Sequence, residues 1–374
     1  MAKQRSRQLY FAVIFLLIAA FTAAPVQRVK TLDIYVIDVE SGNATLVVTP
    51  SGESVLMDTG HLNAAARDAG RIMAAVRDAG VNRIDHLITT HWHPDHFGGM
   101  AELARHIPIQ EFIDHGPNVQ PRPETDTFLQ QTYPQLYRDA IHTVVRAGAK
   151  LPVAGIEMTV VSSAGETIQT PLPGVGMPNP YCADFKPETV DRGENAQSIG
   201  VHIRFGKFRA LHLGDLSTNK EADLMCPDNR IGQVDLFVVS HHGQLHSNSE
   251  VLVHAIESRV AVMNNGIRKG GEPHVMKVIH SAPGLEDLWQ LHFSELSGQE
   301  YTVPGMFIAN WPDTPQPFVP VAPVPSSKLQ RHATPALLHN GTAHWIKVSA
   351  AADGTFTVTN TRNGYSKTYR ARPN

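Results

Sequence analysis

Four potential metal ligands occur within six residues of this sequence: His91, His93, Asp95 and His96. They follow residues 84–90, a run with the composition of a buried strand, and they precede a Gly-Gly pair. Neutral imidazoles and a carboxylate at the end of one rigid strand can all turn toward a single point. Nitrogen and oxygen ligands of this kind suit Zn²⁺ and similar divalent ions. The spacing therefore predicts a metal site where this strand ends.

Other apolar runs of strand length also end in a polar group that could bind a metal. These groups are Asp58, His115, Asp215 and the pair His241 and His242. If the strands share a sheet, their ends lie along one rim, and side chains from separate strands converge there. The sequence thus predicts one site that is assembled from groups far apart in the chain.

Strands and helices alternate in the predicted order of elements. Residues 31–58 have the turn chemistry of a β-meander, and residues 64–79 are typical of a helix that ends at a glycine C-cap. We interpret residues 116–150 as an insertion over one edge of the site, with helical spacing in 125–147. Residues 164–193 are dense in Gly and Pro, which indicates a long irregular loop of the kind that tends to be functional.

The later elements are predicted from the same patterns. A hairpin is expected at 198–213, and further strands at 234–239 and 260–263. Helices are expected at 218–225, 250–257 and 273–281, and a β-rich tail from 345 onward.

Size and charge set only broad limits. The chain has 374 residues, enough for a substantial core and for two or three domains. Its net charge of −3 gives no overall basic surface of the kind that non-specific nucleic-acid binders have, although a local patch is compatible with it.

The N-terminal 25 residues have the pattern of an export signal. Three basic residues precede an apolar run at 9–21, and small residues follow it. The run is short for a membrane span. Pro25 is unfavourable directly after a cleavage point, so an uncleaved anchor is the alternative. Both alternatives place the protein outside the cytoplasm, in the periplasm or the extracellular space, with membrane contact only through this segment.

The chain has two cysteines, Cys182 and Cys226. An oxidising compartment permits them to pair, but the sequence does not give their distance. Neither lies in a ligand-like cluster, so we expect a structural or free role rather than metal binding.

The motifs resemble those of the metallo-β-lactamase superfamily. The resemblance consists of the Asp58-Thr59-Gly60 turn, the His91-x-His93-x-Asp95-His96 signature with Gly98-Gly99, the Gly214-Asp215 strand end and a late histidine. Further segments are similar to the branch that includes the metal-hydrolase domain of the competence DNA-uptake protein, ComEC. They are Asp38-Val39-Glu40-Ser41-Gly42-Asn43-Ala44, Asn195-x-x-Ser198, Leu213-Gly214-Asp215 and Ser240-His241-His242-Gly243. The resemblance covers residues 31–265.

This resemblance implies a dinuclear site, with Zn²⁺ as the expected metal and Mn²⁺ as an alternative. The implied ligands are His91 and His93 for the first metal, Asp95, His96 and a late histidine for the second, and Asp215 as the bridge. We prefer His242 as the late histidine, because two residues usually separate the strand end from the ligand, and His241 is the alternative. The expected catalytic residues are Asp95, which would also orient the attacking hydroxide, and His241.

Other residues are expected to support the site. Asp58 would orient a ligating histidine or form the turn, and the two roles are compatible. His115 would contact substrate or cap a strand, and Asn195 and Ser198 would hold ligands or contact substrate. We expect packing or surface positions for His61, His86 and His106.

One departure from the family pattern concerns the first metal. Most members supply a third histidine from a loop before the bridging aspartate, whereas this chain has Glu194-Asn195-Ala196-Gln197-Ser198 there. His202 falls inside a predicted strand. The first metal is therefore expected to bind weakly or to keep an extra water.

The resemblance implies an α+β fold, an αββα sandwich of two mixed sheets with outer helices, over residues 31–310. A Pro-rich linker at 311–325 and a C-terminal β-rich extension at 326–374, possible as a separate small domain, would follow.

The implied function is an exported hydrolase that uses a metal-bound hydroxide. Phosphodiester or related ester bonds are the expected substrates, and nucleic acid is a possible partner that the net charge does not support. A lactonase or another cyclic ester or amide hydrolase is the first alternative, although the missing histidine disfavours β-lactams. A non-catalytic binding module is the second alternative, which the intact ligand set opposes.

Overall fold

The computed structural model describes residues 30–40, 42–313, 320–324 and 339–373. The predicted signal or anchor lies outside these ranges, as do Ser41 of one motif, residues 314–319 and 325 of the predicted linker, and 326–338 of the predicted extension. Across the described ranges, no helix is both long enough and apolar enough to cross a membrane.

Short strands and helices alternate along the described chain. The strands are β1 (Leu32–Val36), β2 (Thr45–Val48), β3 (Ser54–Met57), β4 (Ile84–Ile88), β5 (Ile109–Asp114), β6 (Ile141–Val144), β7 (Lys150–Leu151), β8 (Glu157–Ser163), β9 (Glu166–Thr167) and β10 (Met177–Pro178). They continue as β11 (Gly200–Phe205), β12 (Phe208–His212), β13 (Asp228–Asn229), β14 (Leu236–Val238), β15 (Val260–Met263), β16 (Asp287–His292), β17 (Ile308–Asn310), β18 (Ile346–Ala350), β19 (Phe356–Asn360) and β20 (Ser366–Tyr369). The α-helices are α1 (Ala65–Asp78), α2 (Pro94–Phe97), α3 (Met100–Leu103), α4 (Pro123–Thr127), α5 (Tyr133–Leu136), α6 (Thr218–Met225), α7 (Glu250–Val253), α8 (Pro273–His280) and α9 (Gly298–Tyr301).

The strands form two large mixed sheets, and β10 pairs with β13 in a separate two-stranded sheet. The first has the order β20-β19-β18-β1-β2-β3-β4-β5-β6 and is antiparallel except from β3 to β6. The second has the order β17-β16-β15-β14-β12-β11-β8-β7, with β9 paired to β8, and its strands from β12 to β17 are parallel. The predicted pair of mixed sheets is therefore confirmed.

Apolar side chains of both sheets meet in one buried core. Ile34 and Val55 of the first sheet belong to the same cluster as Val201 and Leu236 of the second. Helices α1 and α3 cover the outer face of the first sheet, and α6, α7 and α8 cover the second. These layers are the predicted αββα sandwich with outer helices.

The C-terminal strands continue the first sheet. β18 lies antiparallel to β1, with Ile34 opposite Val348, and β19 and β20 add to its edge. The predicted β-rich extension therefore packs as part of the sandwich where the structure describes it. Cys182 and Cys226 form a disulfide.

Helical spacing predicted a helix over residues 125–147, and this prediction is wrong for the second half of the segment. Helices α4 and α5, joined by a π-helical turn at Phe128–Thr132, end at Leu136, and residues 141–144 form the edge strand β6. Thr143, Val144 and Val145 are β-branched and stiff at χ1, which favours a strand. Strands β16 and β17 and the two-residue strands β7, β9, β10 and β13 were not predicted, and β9 and β10 lie in the predicted loop at 164–193. The predicted helix at 250–257 is helical only as far as α7 extends.

Candidate functional site

The predicted donors lie where strands of the two sheets end at one rim. His91 follows β4, Asp215 follows β12, and His242 follows β14. Helix α2 then begins at Pro94, whose fixed φ suits the first turn of a helix, and this places Asp95 and His96 beside His91. Donors from both sheets therefore converge across the sandwich.

Asp215 is the centre of this arrangement. Its Oδ2 lies 3.2 Å from the Nε2 of His96, 3.6 Å from that of His242, 3.7 Å from that of His241 and 3.9 Å from that of His91. One carboxylate oxygen is thus within reach of four imidazoles, which is the position that a bridging ligand would need.

Four donors form a compact group that could hold a metal ion: Asp95, His96, Asp215 and His242. One ligand atom from each lies within 4.8 Å of the others. His242 Nε2 is buried without a hydrogen-bond partner among the described residues, and its nearest carboxylate oxygen is Asp95 Oδ2 at 3.4 Å. A buried imidazole nitrogen without a partner is costly, so this donor set fits a cation. His242 joins the group, and His241 does not.

Asp58 orients His96. Its Oδ2 lies 2.7 Å from His96 Nδ1 and accepts hydrogen bonds from the Asn43 amide and the Thr90 hydroxyl, while its Oδ1 accepts from the Thr90 N–H. The Nδ1–H of His96 therefore donates to Asp58, which fixes the ring with its Nε2 turned toward Asp215. Asp58 also has φ 63° in the predicted turn, so both of its expected roles fit the geometry.

Asn43 connects the two halves of the site. Its side-chain oxygen accepts from Asn264, whose backbone oxygen lies 3.3 Å from His242 Nδ1. The backbone N–H of Asn43 donates to the backbone oxygen of Asp95. The pair of asparagines thus spans the gap between the sheets and links the supports of His96 and His242.

The first-metal pair is less complete. His91 Nε2 lies 3.0 Å from His93 Nδ1, and His93 Nε2 lies 3.0 Å from Gln120 Oε1. Neither histidine joins the four-donor group. Ser198 Oγ lies 3.5 Å from His91 Nδ1 and accepts from the N–H of Asp215, so it supports both residues.

Asn195 lies beside His241. Its Nδ2 lies 3.5 Å from His241 Nε2, and its buried Oδ1 meets no partner among the described residues. His241 Nε2 therefore lies near Asn195 on one side and 3.7 Å from Asp215 Oδ2 on the other.

His115 is buried and paired with Glu194. Its Nε2 lies 2.9 Å from Glu194 Oε2, which also accepts from the Trp92 N–H, and Glu194 Oε1 accepts from the Val119 N–H. His115 is 2% exposed, which favours the structural of its two expected roles. Glu194 anchors both the signature loop and the start of the 116–150 insertion.

The remaining predicted histidines lie in packing or surface positions. His86 is buried between Glu53 and Glu111, His61 caps a short 3-10 helix, and His106 is exposed beside Glu102.

The charges in the group reinforce one another. Burial by itself would lower the pKa of His96, but Asp215, Asp58 and Asp95 hold it well above its usual range. Burial by itself would raise the pKa of Asp95, but Lys269, His96 and His242 hold it well below its usual range. The carboxylates of the group are therefore ionised, which metal binding requires.

A cavity of about 600 Å³ opens beside His241. The residues that line it include Glu188, Asp191, Asn195, Ser217 and His246. The hydroxyl of Ser217 is buried without a partner among the described residues. The cavity offers room and hydrogen-bonding groups for a substrate next to the donor group.

Sequence reasoning missed Lys269, Asn264, Glu194 and Gln120. Asn264 follows directly after β15, so the strand-end pattern that found Asp215 would also have found Asn264. Lys269 lies in a glycine-rich segment with no such pattern. Its ammonium forms an ion pair with Asp95 Oδ2.

Residues 37–176 match the model of the metallo-beta-lactamase superfamily. Over this segment the chain is similar to the metallo-beta-lactamase superfamily. No curated protein matches its sequence.

Similar solved structures are distant. One is MEM-A1, a subclass B3 metallo-beta-lactamase from a soil metagenome library, at 15% identity and TM-score 0.35, covering 57% of this chain and 77% of that one. Another is CmlA, a diiron beta-hydroxylase from Streptomyces venezuelae, at 17% identity and TM-score 0.37, covering 64% of this chain and 45% of that one. A third is a diphosphatase of the PhnP family, at 12% identity and TM-score 0.37, covering 68% of this chain and 93% of that one.

Proposed function

We propose that this protein is an exported metal-dependent hydrolase of phosphodiester or related ester bonds, similar to the ComEC branch of its superfamily. The observation that carries the proposal is the four-donor group, with its buried, unpartnered His242 nitrogen. Superfamily members are generally hydrolases, and a binding module has no evident use for such a group beside an open cavity.

Each residue of the site has a proposed role. Asp95, His96, Asp215 and His242 would hold the tighter of two metal ions, and His91 and His93 would hold a weaker one. Zinc suits the nitrogen-rich donors best, with Mn²⁺ as an alternative. When bound, the metal lowers the pKa of a water to near 7 and stabilises negative charge on a leaving oxygen. Asp58 and Asn264 hold the two histidine rings in position, and His241 and Asn195 face the cavity, where they would contact the substrate.

Two observations support export. The N-terminal residues have the charge and hydrophobicity pattern of a signal or an anchor. The Cys182–Cys226 disulfide is typical of an oxidising compartment.

A substrate panel tests the proposal. The mature protein is assayed with bis-p-nitrophenyl phosphate, single-stranded DNA, a lactone and nitrocefin, with and without added Zn²⁺ or Mn²⁺. We expect metal-dependent cleavage of the phosphodiesters. Turnover of the lactone alone would overturn the choice of substrate, and no turnover of any substrate with either metal would favour a binding module.

A further inference from the structure

Residues 266–271, here named the Lys269 loop, lie over the donor group. Gly271 N–H donates to the backbone oxygen of His242, and Ser294 Oγ donates to that of Gly270. Within the loop, Gly266 N–H donates to the backbone oxygen of Lys269. The loop is therefore fixed to the backbone of a donor residue, so the lysine stem starts from a defined point.

The ammonium of Lys269 competes for an oxygen that a metal would need. It pairs with Asp95 Oδ2, which also lies 3.4 Å from His242 Nε2 and 3.7 Å from His96 Nε2. The side chain is 27% exposed, so it reaches from the solvent side onto the donor group. A cation at that oxygen would stand within a few ångströms of the ammonium, and like charges repel strongly at such distances.

We propose that Lys269 holds Asp95 in the metal-free protein, leaves it when the metal binds, and then contacts the anionic group of the substrate. The first part concerns only this chain and the metal, and the second rests on the proposed function. A lysine suits both parts because its ammonium is a compact charge on a flexible stem. Lysine is also a common phosphate ligand in proteins.

Metal affinity tests the displacement. Zn²⁺ dissociation constants are measured by competition with a chelating dye for the wild type, Lys269→Met, Lys269→Arg and Lys277→Met. Lys277 lies over the Tyr301 ring, so Lys277→Met makes the same charge change away from the donor group. We expect Lys269→Met to bind Zn²⁺ about tenfold tighter or more, and the other two variants to stay near the wild type. Equal or weaker binding by Lys269→Met, in a variant whose Tm shows that it is folded, would overturn the displacement.

Substrate charge tests the second part. With metal at saturating concentration, we expect Lys269→Met to lower kcat/KM for bis-p-nitrophenyl phosphate about tenfold, mainly through KM, and to leave a neutral p-nitrophenyl ester unchanged. An equal loss for both substrates would overturn the substrate contact. If the wild type cleaves no phosphodiester, the proposed function and the substrate contact fail together, whereas the affinity measurement still decides the displacement.

Discussion

Asp58 shows how one side chain can serve both the backbone and the site. Its positive φ turns the chain after β3, and its two carboxylate oxygens accept hydrogen bonds from His96, Thr90 and Asn43. The turn needs only a residue that tolerates a left-handed conformation, which Asn does as well as Asp. The network needs two acceptor oxygens, which only a carboxylate provides.

Substitution of Asp58 separates these two roles. We expect both Asp58→Asn and Asp58→Ala to weaken Zn²⁺ binding about 10- to 100-fold, since the Asn amide would face donors and leave His96 without its partner. Zn²⁺ competition titrations measure the effect. If Asp58→Asn retains wild-type affinity, Asp58 serves the turn alone.

His202 lies on β11 outside the donor group and gives a pH dependence of its own. Burial lowers its pKa from 6.5 to about 4, and Arg209 and Arg204 add to the effect. The folded chain keeps this histidine neutral, while the unfolded chain protonates it as the pH falls through 6.5. The stability that it contributes is therefore complete above about pH 7 and is lost as the pH falls toward 4.

Urea unfolding at pH 7 and pH 5 measures this effect. Between these values, we expect the wild type to lose about 2 kcal/mol more unfolding free energy than His202→Gln. His106→Gln is the matched control, because the His106 side chain is 51% exposed, and it should follow the wild type. Parallel losses in all three proteins would show that His202 titrates normally.

At the scale of elements, the site could be predicted where donors follow strands. His91, Asp215 and His242 each end an apolar run, and a sheet brings such ends together whatever the loops do. The conformation of the donors could not be predicted in the same way. His241 and His242 both have positive φ, 51° and 56°, which is uncommon for residues other than glycine. That conformation is held by contacts from distant segments, such as the hydrogen bond from Gly271 to the backbone of His242.

Gly270 tests how tightly the Lys269 loop fits. Its φ is +77°, and an added Cβ would lie 1.9 Å from the backbone oxygen of His242. We expect Gly270→Ala to shift His242 and to weaken Zn²⁺ binding at least tenfold. Gly52→Ala is the matched control, because Gly52 has φ +89° with nothing within 4 Å of the added Cβ. It carries the conformational cost of about 1 kcal/mol without the clash, so its Zn²⁺ affinity should be unchanged. Equal affinities in the two variants would contradict the fit described for the loop.

At the scale of the whole molecule, the sandwich brings together site residues from distant parts of the chain. The Asn43–Asn264 hydrogen bond joins residues 221 positions apart, and the Lys269–Asp95 ion pair joins residues 174 positions apart. Such pairs leave no local pattern, because each partner alone has the composition of an ordinary loop. The resemblance to a known family could therefore predict the layers and the residues that converge at the rim, but not the network that aligns these residues or the lysine that pairs with Asp95.

The central claim is that the four-donor group holds a metal on which hydrolysis depends. The most direct measurement determines bound zinc per chain after dialysis, together with bis-p-nitrophenyl phosphate cleavage, in the wild type, Asp215→Asn, His242→Ala and the surface control His106→Ala. We predict that the wild type and His106→Ala each retain one tightly bound ion and equal activity. The two site variants should lose that ion and at least about 100-fold of the activity. Full activity in Asp215→Asn, or in a wild type stripped of metal by a chelator, would contradict the account.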